Sequence, residues 1–311
     1  MKSRKWLRDA LQWTAGLFVL WLLFRNVPFD DALTAALRAD VPLLLAITVV
    51  TCVVWFWLDS AALAYLISRF HIAFSQREAR SIRALSYLVA AVNWNLGSGA
   101  IMLHLRRTKE VPLTGSLATI LFYNSLDGFV LLALAAVGLA LSSQNTGGFA
   151  AGVAMALAAL VAIVAILRAD RPRWEVLERL RGSIPVRTIR AATARDFALV
   201  GAVRLVYFLM FVFYFWAALR AFAVHVPPLH LLGTVPLVLL SGVLPFTPAG
   251  LGTQQAVMLY MLRAFGDEPA ILAFGLVFPF SFLIARALLS LFYLGDLGEL
   301  RTSLDEAESS T

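Results

Sequence analysis

Long apolar stretches dominate this sequence and constrain its fold more than any other feature. They lie at residues 10–24, 42–67, 113–141, 149–167, 197–219 and 269–294. A helix needs roughly 20 apolar residues to span the hydrocarbon core of a bilayer. The chain is 60% hydrophobic and only 14% charged, against about 45–50% and about 25% in soluble domains. The sequence therefore predicts an all-α polytopic membrane protein.

The apolar stretches and their connections predict one transmembrane domain over residues 1–295. The first stretch is expected to remain as a helix, because Arg25 follows it in place of a small-residue cleavage site. Residues 296–311 are rich in acidic side chains and are expected to form a disordered cytoplasmic tail. Residues 29–37 and the segment from Trp174 to Ile184 have helical apolar spacing, which predicts short helices at the membrane surface.

Two further apolar segments, 84–105 and 231–262, are interrupted by residues that break helices. The first contains Asn-Trp-Asn-Leu-Gly-Ser-Gly at 93–99, and the second contains Pro-Phe-Thr-Pro-Ala-Gly-Leu-Gly at 245–252. Glycine and proline disfavour a continuous helix, and backbone groups left unpaired by a break must face protein or water. We expect each segment to form a re-entrant hairpin, which enters the membrane and turns back. A kinked span is the alternative for the second segment.

The charges of the connecting segments indicate the topology. Net charges are +3 for residues 1–9, −1 for 25–40, +3 for 69–83, +2 for 106–110 and +4 for 168–196. Because basic loops face the cytoplasm, the N-terminus and the 69–83 loop are predicted to be cytoplasmic. The two later basic segments fall on the same side only if 84–105 does not cross the membrane. We expect both termini in the cytoplasm.

The order helix, broken segment, helix occurs twice, over about 42–141 and again over about 197–294. The linking helix at 149–167 starts the second copy on the opposite face of the membrane, so the pattern predicts inverted-topology repeats. Paired interrupted segments in such repeats point to the binding site. The alternative is a pair of unrelated kinked helices.

Four charged residues fall inside the apolar stretches: Asp59, Asp127, Arg204 and Arg286. Each costs roughly 2.5–3.5 kcal/mol near the bilayer centre on insertion scales, so each needs a partner or a hydrated cavity. One interpretation is two structural ion pairs that hold the two halves together, of which Asp59 and Arg204 form one. The other is that Arg204 or Arg286 meets an anionic headgroup while a carboxylate tunes or releases it.

The two breaks contribute a second set of candidate binding residues. A half-helix that begins after Gly97-Ser98-Gly99, and another that begins near Thr253, would present free N–H groups and a positive dipole end to an anion. The alternative is that the glycines serve only close helix packing. The predicted substrate-binding residues are Asn93, Asn95, Gly97, Ser98, Gly99, Asp127, Arg204, Thr247, Pro248, Gly250, Gly252, Thr253, Gln254, Gln255 and Arg286.

Motifs of the common enzyme classes are missing from the sequence. It contains no P-loop, no complete dinucleotide fingerprint, no His-Glu-x-x-His and no Gly-x-Ser-x-Gly around Ser98. His225 and His230 have no carboxylate near them in the sequence to complete a metal site. The net charge of +7 comes from short basic loops, as topology requires, rather than from a nucleic-acid-binding face. We expect no enzymatic activity, no metal, no cofactor and no nucleic-acid partner.

The string Leu-Pro-Phe-Thr-Pro-Ala-Gly-Leu-Gly-Thr-Gln-Gln at 244–255 resembles the Leu-Pro-x-x-Pro-Gly-Gly-Leu-Gly-x-x-Glu signature of the lysylphosphatidylglycerol synthase transmembrane-region family. The likeness covers most of residues 10–295 and includes the first break and Asp127. Ala249 stands in place of a glycine and Gln255 in place of glutamate. The resemblance implies a flippase-like membrane protein without the aminoacyltransferase domain that long members of the family carry.

Together, the sequence and the resemblance predict a lipid translocase of the bacterial cytoplasmic (inner) membrane. It would move a phospholipid or a lipid-linked headgroup between leaflets. The expected partners are membrane lipids with an anionic headgroup, and in addition a lipid-modifying enzyme or a second copy of the chain. Two alternatives stay open: a secondary transporter or channel for a small soluble solute, and a non-catalytic protein that presents lipid to a lipid-modifying enzyme.

Overall fold

In the computed structural model, every regular element that is described is an α-helix. The description covers residues 14, 16–25, 27–92, 94–142, 147–169, 174–243, 247 and 250–293. Within these residues the helices are α1 (Gly16–Arg25), α2 (Phe29–Leu37), α3 (Val41–Phe70), α4 (Gln76–Val92), α5 (Trp94–Lys109), α6 (Leu113–Leu141), α7 (Gly147–Arg168), α8 (Glu175–Gly182), α9 (Ile184–Ala191), α10 (Ala194–Ala221), α11 (Pro228–Val243), α12 (Thr253–Leu262) and α13 (Glu268–Leu291).

Five of these helices are long and apolar enough to cross a membrane: α3, α6, α10, α13 and residues Ala150–Arg168 of α7. The 30 residues of α3 give a length of roughly 45 Å at about 1.5 Å per residue, which exceeds the ~30 Å hydrocarbon core. The five helices coincide with five of the apolar stretches in the sequence. The prediction of an all-helical, multi-pass membrane protein is confirmed.

Both broken segments form two shorter helices that pack against each other. The first helix pair is α4 and α5, which end at Val92 and begin at Trp94, and the second helix pair is α11 and α12. Helix α12 begins at Thr253, as the sequence predicts. Helix α5, in contrast, starts before the glycines at 97 and 99 rather than after them, because isolated glycines weaken a helix without stopping it.

The two segments predicted at the membrane surface are both helical. Helix α2 occupies the predicted residues 29–37. The segment from Trp174 to Ile184 is divided between α8 and α9, and Ser183 between them is extended. Pro185 explains the division, because its ring would clash with the carbonyl group four residues earlier in a continuous helix.

The described residues divide into two compact units. Unit 1 contains residues up to 51, 130–157 and 208–282, and unit 2 contains 52–129, 158–207 and those from 283 onward. The second helix pair belongs to unit 1 and the first helix pair to unit 2. Each of the five long helices contributes residues to both units.

Unit 1 is held by aromatic contacts and by one close helix crossing. The rings of Tyr214 and Phe282 lie 4.5 Å apart, and those of Phe215 and Phe274 pack edge to face at 5.1 Å. Such pairs add about 0.5–1.5 kcal/mol beyond the burial of their area. A side chain at Gly233 would meet the backbone of residue 138 at 3.0 Å, so small residues let α6 and α11 approach closely.

Unit 2 has an aliphatic core that joins the first helix pair to α3. Leu63, Ile67, Ile82, Ile101 and Leu105 are buried in one cluster. The two helices of the pair approach so closely that a Cβ atom on Gly97 would lie 2.9 Å from Ala90 Cβ and from the carbonyl oxygen of residue 86. This packing fixes the face of α4 that borders the site described next.

Candidate functional site

A buried cluster of charged side chains lies in unit 2, with Arg204 of α10 at its centre. The guanidinium donates from Nη1 to Asp59 Oδ1 at 2.7 Å and from Nη2 to Asp127 Oδ2 at 3.0 Å. Its Nε donates to Asp127 Oδ1. The contact with Asp127 is therefore bidentate, which is the strong geometry for a guanidinium and a carboxylate. Only 3% of Arg204 is exposed, so α3, α6 and α10 are joined by a buried ionic network.

Tyrosine side chains complete the hydrogen bonding of this network. Asp59 accepts from the hydroxyl of Tyr87 at 2.8 Å and from that of Tyr123 at 2.5 Å. Arg204 Nη1 also lies 2.6 Å from the Tyr123 hydroxyl oxygen, and Arg204 Cζ lies 3.8 Å from the ring centre of Tyr207. A buried charge is tolerated when it is paired and its remaining hydrogen bonds are made, and Asp59 and Arg204 meet both conditions.

A cavity of about 120 Å³, lined by both polar and apolar side chains, adjoins the charged network in unit 2. A single ordered water needs roughly 10–15 Å³, so the cavity has room for a polar group of several atoms. The lining residues recur at helical spacing, which shows that one face of each helix borders the space. They are Asp59, Leu63, Leu66, Ile67, Arg83, Ser86, Tyr87, Ala90, Gly97, Ser98, Ile101, Leu105, Ser116, Thr119, Ile120, Tyr123, Asn124, Asp127, Arg204 and Tyr207.

An ion pair joins the two helices of the first helix pair at the end away from the break. Lys109 Nζ lies 2.6 Å from Glu78 Oε1, and the Ser75 backbone N–H donates to Glu78 Oε2 at 2.8 Å. Partial burial alone would raise the pKa of Glu78, but Lys109 and the Ser75 donors outweigh it and hold this pKa below its usual value. The contact ties the start of α4 to the end of α5.

Only some of the residues predicted at the first break lie at the cavity. Gly97 and Ser98 line the cavity, whereas Gly99 is exposed and a Cβ atom there would point into open space. Asn93 and the side chain of Asn95 lie outside the described residues.

The predicted intramembrane charges also separate into two groups. Asp59, Asp127 and Arg204 form the network at the cavity. Arg286 of α13 lies with its Cζ 4.8 Å from the ring centre of Tyr87, and it is not among the described residues that line the cavity. Tyr87, which donates to Asp59, therefore connects Arg286 to the network.

The second helix pair, in unit 1, uses its polar side chains to hold its own backbone together. Gln255 accepts from the Gly252 N–H at 2.7 Å and donates through Nε2 to the Gly275 carbonyl oxygen at 2.9 Å. Only 1% of Gln255 is exposed. This side chain therefore caps α12 and fastens it to α13, and it occupies one of the N–H groups that the sequence suggested for an anion.

Threonines and glycines fill the rest of the second break. The Thr253 hydroxyl donates to the Gly250 carbonyl oxygen and lies 3.1 Å from the Thr247 hydroxyl oxygen. Gly250 has a φ of +75° and a Cβ there would lie 2.6 Å from Gly242 Cα and 3.1 Å from the Gln254 side chain. Pro248 lies outside the described residues. The described residues of the break are thus tightly packed.

Several residues at the cavity were missed by the sequence analysis, among them Arg83, Tyr87 and Tyr123. Arg83 was counted among the charges of the 69–83 loop, but the structure places it within α4. Arg83, Ser86, Tyr87 and Ala90 follow the i, i+3, i+4, i+7 spacing of one helix face. That stripe next to the Asn/Gly break was the signal that could have identified Arg83 and Tyr87.

Two further findings bear on the function of this site: its capacity to bind a metal ion, and the similarity of the chain to known proteins. Among the described residues, no group of three or more His, Cys, Asp or Glu side chains could hold a metal ion. A family model described as the lysylphosphatidylglycerol synthase TM region matches the chain over residues 10–298. No curated protein matches the chain.

Proposed function

The chain belongs to the lysylphosphatidylglycerol synthase TM region family, and we propose that it is a lipid translocase, which moves a phospholipid or lipid-linked headgroup between leaflets. The family is named after the synthase of a phospholipid, which supports a role in membrane lipid biology. The observation that carries the proposal is the cavity beside the Arg204 network, which is lined by charged and polar as well as apolar side chains. A membrane protein with this arrangement offers an ionised, hydrogen-bonding surface among its apolar helices.

The physical argument concerns the cost of moving a headgroup through hydrocarbon. A charged or polar group that leaves water loses its hydrogen bonds, at a cost of several kcal/mol for a polar group and more for a charge. The cavity supplies replacements from polar side chains in its lining, among them Ser98 and Asn124, and from the charged groups beside them. The acyl chains would stay in the lipid, where their transfer costs nothing.

The proposed topology follows the positive-inside rule. The basic segments 69–83, 106–110 and 168–196 would all be cytoplasmic, with both termini on the same side. The first helix pair would then be a re-entrant hairpin that enters from the cytoplasm, and the second helix pair would be its inverted counterpart from the outside. We place the protein in a bacterial cytoplasmic membrane.

Translocation requires no covalent chemistry, and we propose that the protein is not an enzyme. Its substrates would be membrane lipids with an anionic headgroup. A lipid-modifying enzyme that supplies or consumes the transported lipid, or a second copy of the chain, is a further partner of the proposed function.

Reconstitution into liposomes tests this function. Vesicles would carry a fluorescent phosphatidylglycerol or phosphatidylethanolamine in both leaflets, and an added membrane-impermeant quencher would report the fraction that reaches the outside. We expect wild-type protein to make nearly all of the label accessible, and protein-free vesicles to expose about the outer half. The Ser98→Trp variant, which puts an indole ring into the cavity, is expected to slow the movement at least about tenfold.

The matched control is Leu103→Trp, on the same helix but with 46% of the side chain exposed. It should retain wild-type rates, because its indole points away from the cavity. Equal accessibility in wild-type and protein-free vesicles, across several headgroups, would contradict the proposal. Flux of a soluble solute into the same vesicles, without lipid movement, would favour the transporter or channel instead.

A further inference from the structure

The four charged side chains that line the cavity balance one another. Arg83 and Arg204 are positive, Asp59 and Asp127 are negative, and Asp59 is attracted by both arginines. With all four ionised, the lining carries no net charge. A ligand that brings a net charge into this space therefore disturbs an electrostatic balance, which is costly in the interior of a membrane protein.

The two carboxylates of this lining are held differently. Asp59 accepts hydrogen bonds from Arg204 and from two tyrosine hydroxyls, and 8% of its side chain is exposed. Asp127 accepts from Nε and Nη2 of Arg204, which are its only hydrogen-bond donors among the described residues, and 22% of its side chain is exposed. Asp127 is thus the carboxylate that a ligand in the cavity can reach, and a single side chain supplies its hydrogen bonds.

The cavity extends from the charged network toward one end of the surrounding helices. Asp127 lies 14 residues after α6 begins, and Asp59 lies 11 residues before α3 ends. At about 1.5 Å per residue, both lie roughly 16–21 Å from that end, near the middle of a ~30 Å hydrocarbon core. The lining continues along α6 to Ser116, three residues from the start of the helix. The space has room for several water molecules, which can carry a proton to Asp127 from that side.

An anionic headgroup in the cavity would add a negative charge to this balanced lining. It would also compete for the guanidinium of Arg204, whose planar fork matches phosphate oxygens as well as carboxylate oxygens. Asp127 would then share its cation with a second anion, and this condition favours the neutral carboxyl group. A proton on Asp127 would restore the charge balance and make its side chain a hydrogen-bond donor for the headgroup.

Among the ionisable groups of the lining, Asp127 is the one suited to take up this proton. Arginine is already protonated and the tyrosine hydroxyl is neutral near pH 7, so neither gains a proton. Asp59 is less suited, because its two tyrosine donors favour the ionised carboxylate. The ionisable side chains that share the lining with Asp127 are Asp59 of α3, Arg83 and Tyr87 of α4, Tyr123 of α6, and Arg204 and Tyr207 of α10. Arg286 of α13 contacts Tyr87.

We propose that Asp127 takes up one proton as an anionic lipid headgroup enters the cavity, so that the headgroup and the proton bind together. The nature of the anion rests on the proposed function. The step forms one O–H bond, between a carboxylate oxygen of Asp127 and a proton from the aqueous phase, and no other covalent bond forms or breaks. Release of the headgroup returns the proton to water. A pH difference across the membrane would then bias the direction of lipid movement.

Proton uptake on binding tests the proposal. The full chain in detergent micelles is mixed at pH 7 with short-chain phosphatidylglycerol in weak buffer, where an indicator dye counts protons and native mass spectrometry counts bound lipids. Short-chain phosphatidylethanolamine, whose ammonium group balances its own phosphate, is the matched probe. We expect about one proton per bound phosphatidylglycerol and close to none per phosphatidylethanolamine. The affinity for phosphatidylglycerol should fall by up to about tenfold per pH unit between pH 6 and pH 8.

Variants at position 127 locate the proton. Asp127→Asn imitates the protonated side chain in size and charge, so it should bind phosphatidylglycerol without proton uptake and equally well at pH 6 and pH 8. The control is Asp31→Asn, the same substitution at an exposed position of α2, which should behave as wild type does. Proton uptake that persists in Asp127→Asn, or an equal loss in Asp31→Asn, would overturn the proposal. Wild-type affinity that is equal at pH 6 and pH 8 would also overturn it, and this comparison needs no variant.

Lipid movement in vesicles separates this proposal from the proposed function. Proton uptake on binding without any lipid movement would support the proton site and reject translocation. Lipid movement at the same rate at pH 6 and pH 8, without proton uptake on binding, would reject the proton site and retain translocation. If both hold, movement of phosphatidylglycerol should lose its pH dependence in Asp127→Asn and keep it in Asp31→Asn.

Discussion

The two helix pairs both arise from apolar segments with glycines and small polar residues at a break, yet they use their polar groups differently. The first pair lines a cavity with Arg83, Ser86, Tyr87 and Ser98. In the second pair, Gln255 and Thr253 bond to backbone groups of the same unit. The polar side chains of the first pair are therefore accessible to a ligand in the cavity, whereas those of the second pair already bond to the protein backbone.

This difference shows that a glycine-rich break does not by itself identify a binding site. Gly97 allows α4 and α5 to approach, and the charged network beside them then defines a polar space. Gly250 and Gly242 instead make room for the Gln254 side chain. The stability of the first region should depend on charge balance, and that of the second on shape.

The largest effect is expected from Arg204→Met, which tests the dependence on charge. The substitution leaves the carboxylates of Asp59 and Asp127 without their shared cation, and breaking a buried pair in this way costs about 3–5 kcal/mol. Thermal unfolding in detergent micelles would measure the loss. Arg220→Met is the control, because that arginine is on the same helix but exposed; a similar melting temperature for the two variants would contradict the prediction.

The sequence identified the three charged residues of this network and predicted the pair of Asp59 and Arg204, which the structure confirms, but it did not predict that Arg204 also binds Asp127. Asp59, Asp127 and Arg204 were recognisable because charges in apolar helices are costly. The contact of one arginine with two aspartates, which are 145 and 77 residues away along the chain, depends on the packing of three helices. No local pattern encodes that packing.

The positions of the breaks could be predicted from the sequence, but the contacts that their polar side chains make could not. The prolines and glycines at 245–252 predicted a helix that begins near Thr253, where α12 begins. The bond from Gln255 to the Gly275 carbonyl joins residues 20 positions apart, and it appears only once α13 is in place. Arg83 was missed for a related reason: its neighbours Arg77 and Arg80 made it look like a loop charge until the extent of α4 was known.

The second prediction compares glycines in the two pairs and tests the dependence on shape. Gly250→Ala should destabilise the protein by about 2–5 kcal/mol, because a positive φ costs a non-glycine residue about 1–2 kcal/mol and overpacking costs about 1–3 kcal/mol. Gly99→Ala in the first pair meets open space and should stabilise by up to about 1 kcal/mol through helix propensity. Melting temperatures that fall equally for both variants would remove the distinction between the pairs.

The smallest effect concerns the ion pair that closes the first helix pair. Because the folded-state pKa of Glu78 lies below its usual value, the contact with Lys109 contributes stability above the unfolded-state pKa of about 4.3. This contribution is lost as the pH falls through the folded-state value. Both side chains are about 30% exposed, so the coupling at pH 7 should be about 0.2–1 kcal/mol.

A double-mutant cycle with Glu78→Gln and Lys109→Gln measures that coupling from unfolding in micelles at pH 7 and again below pH 4. We expect the coupling to shrink at the lower pH, since protonated glutamate no longer attracts the ammonium group. Coupling of the same size at both values would mean that the contact acts through packing alone. The first helix pair would then resemble the second pair, in which neutral contacts hold the helices together, and charge would matter only at the cavity.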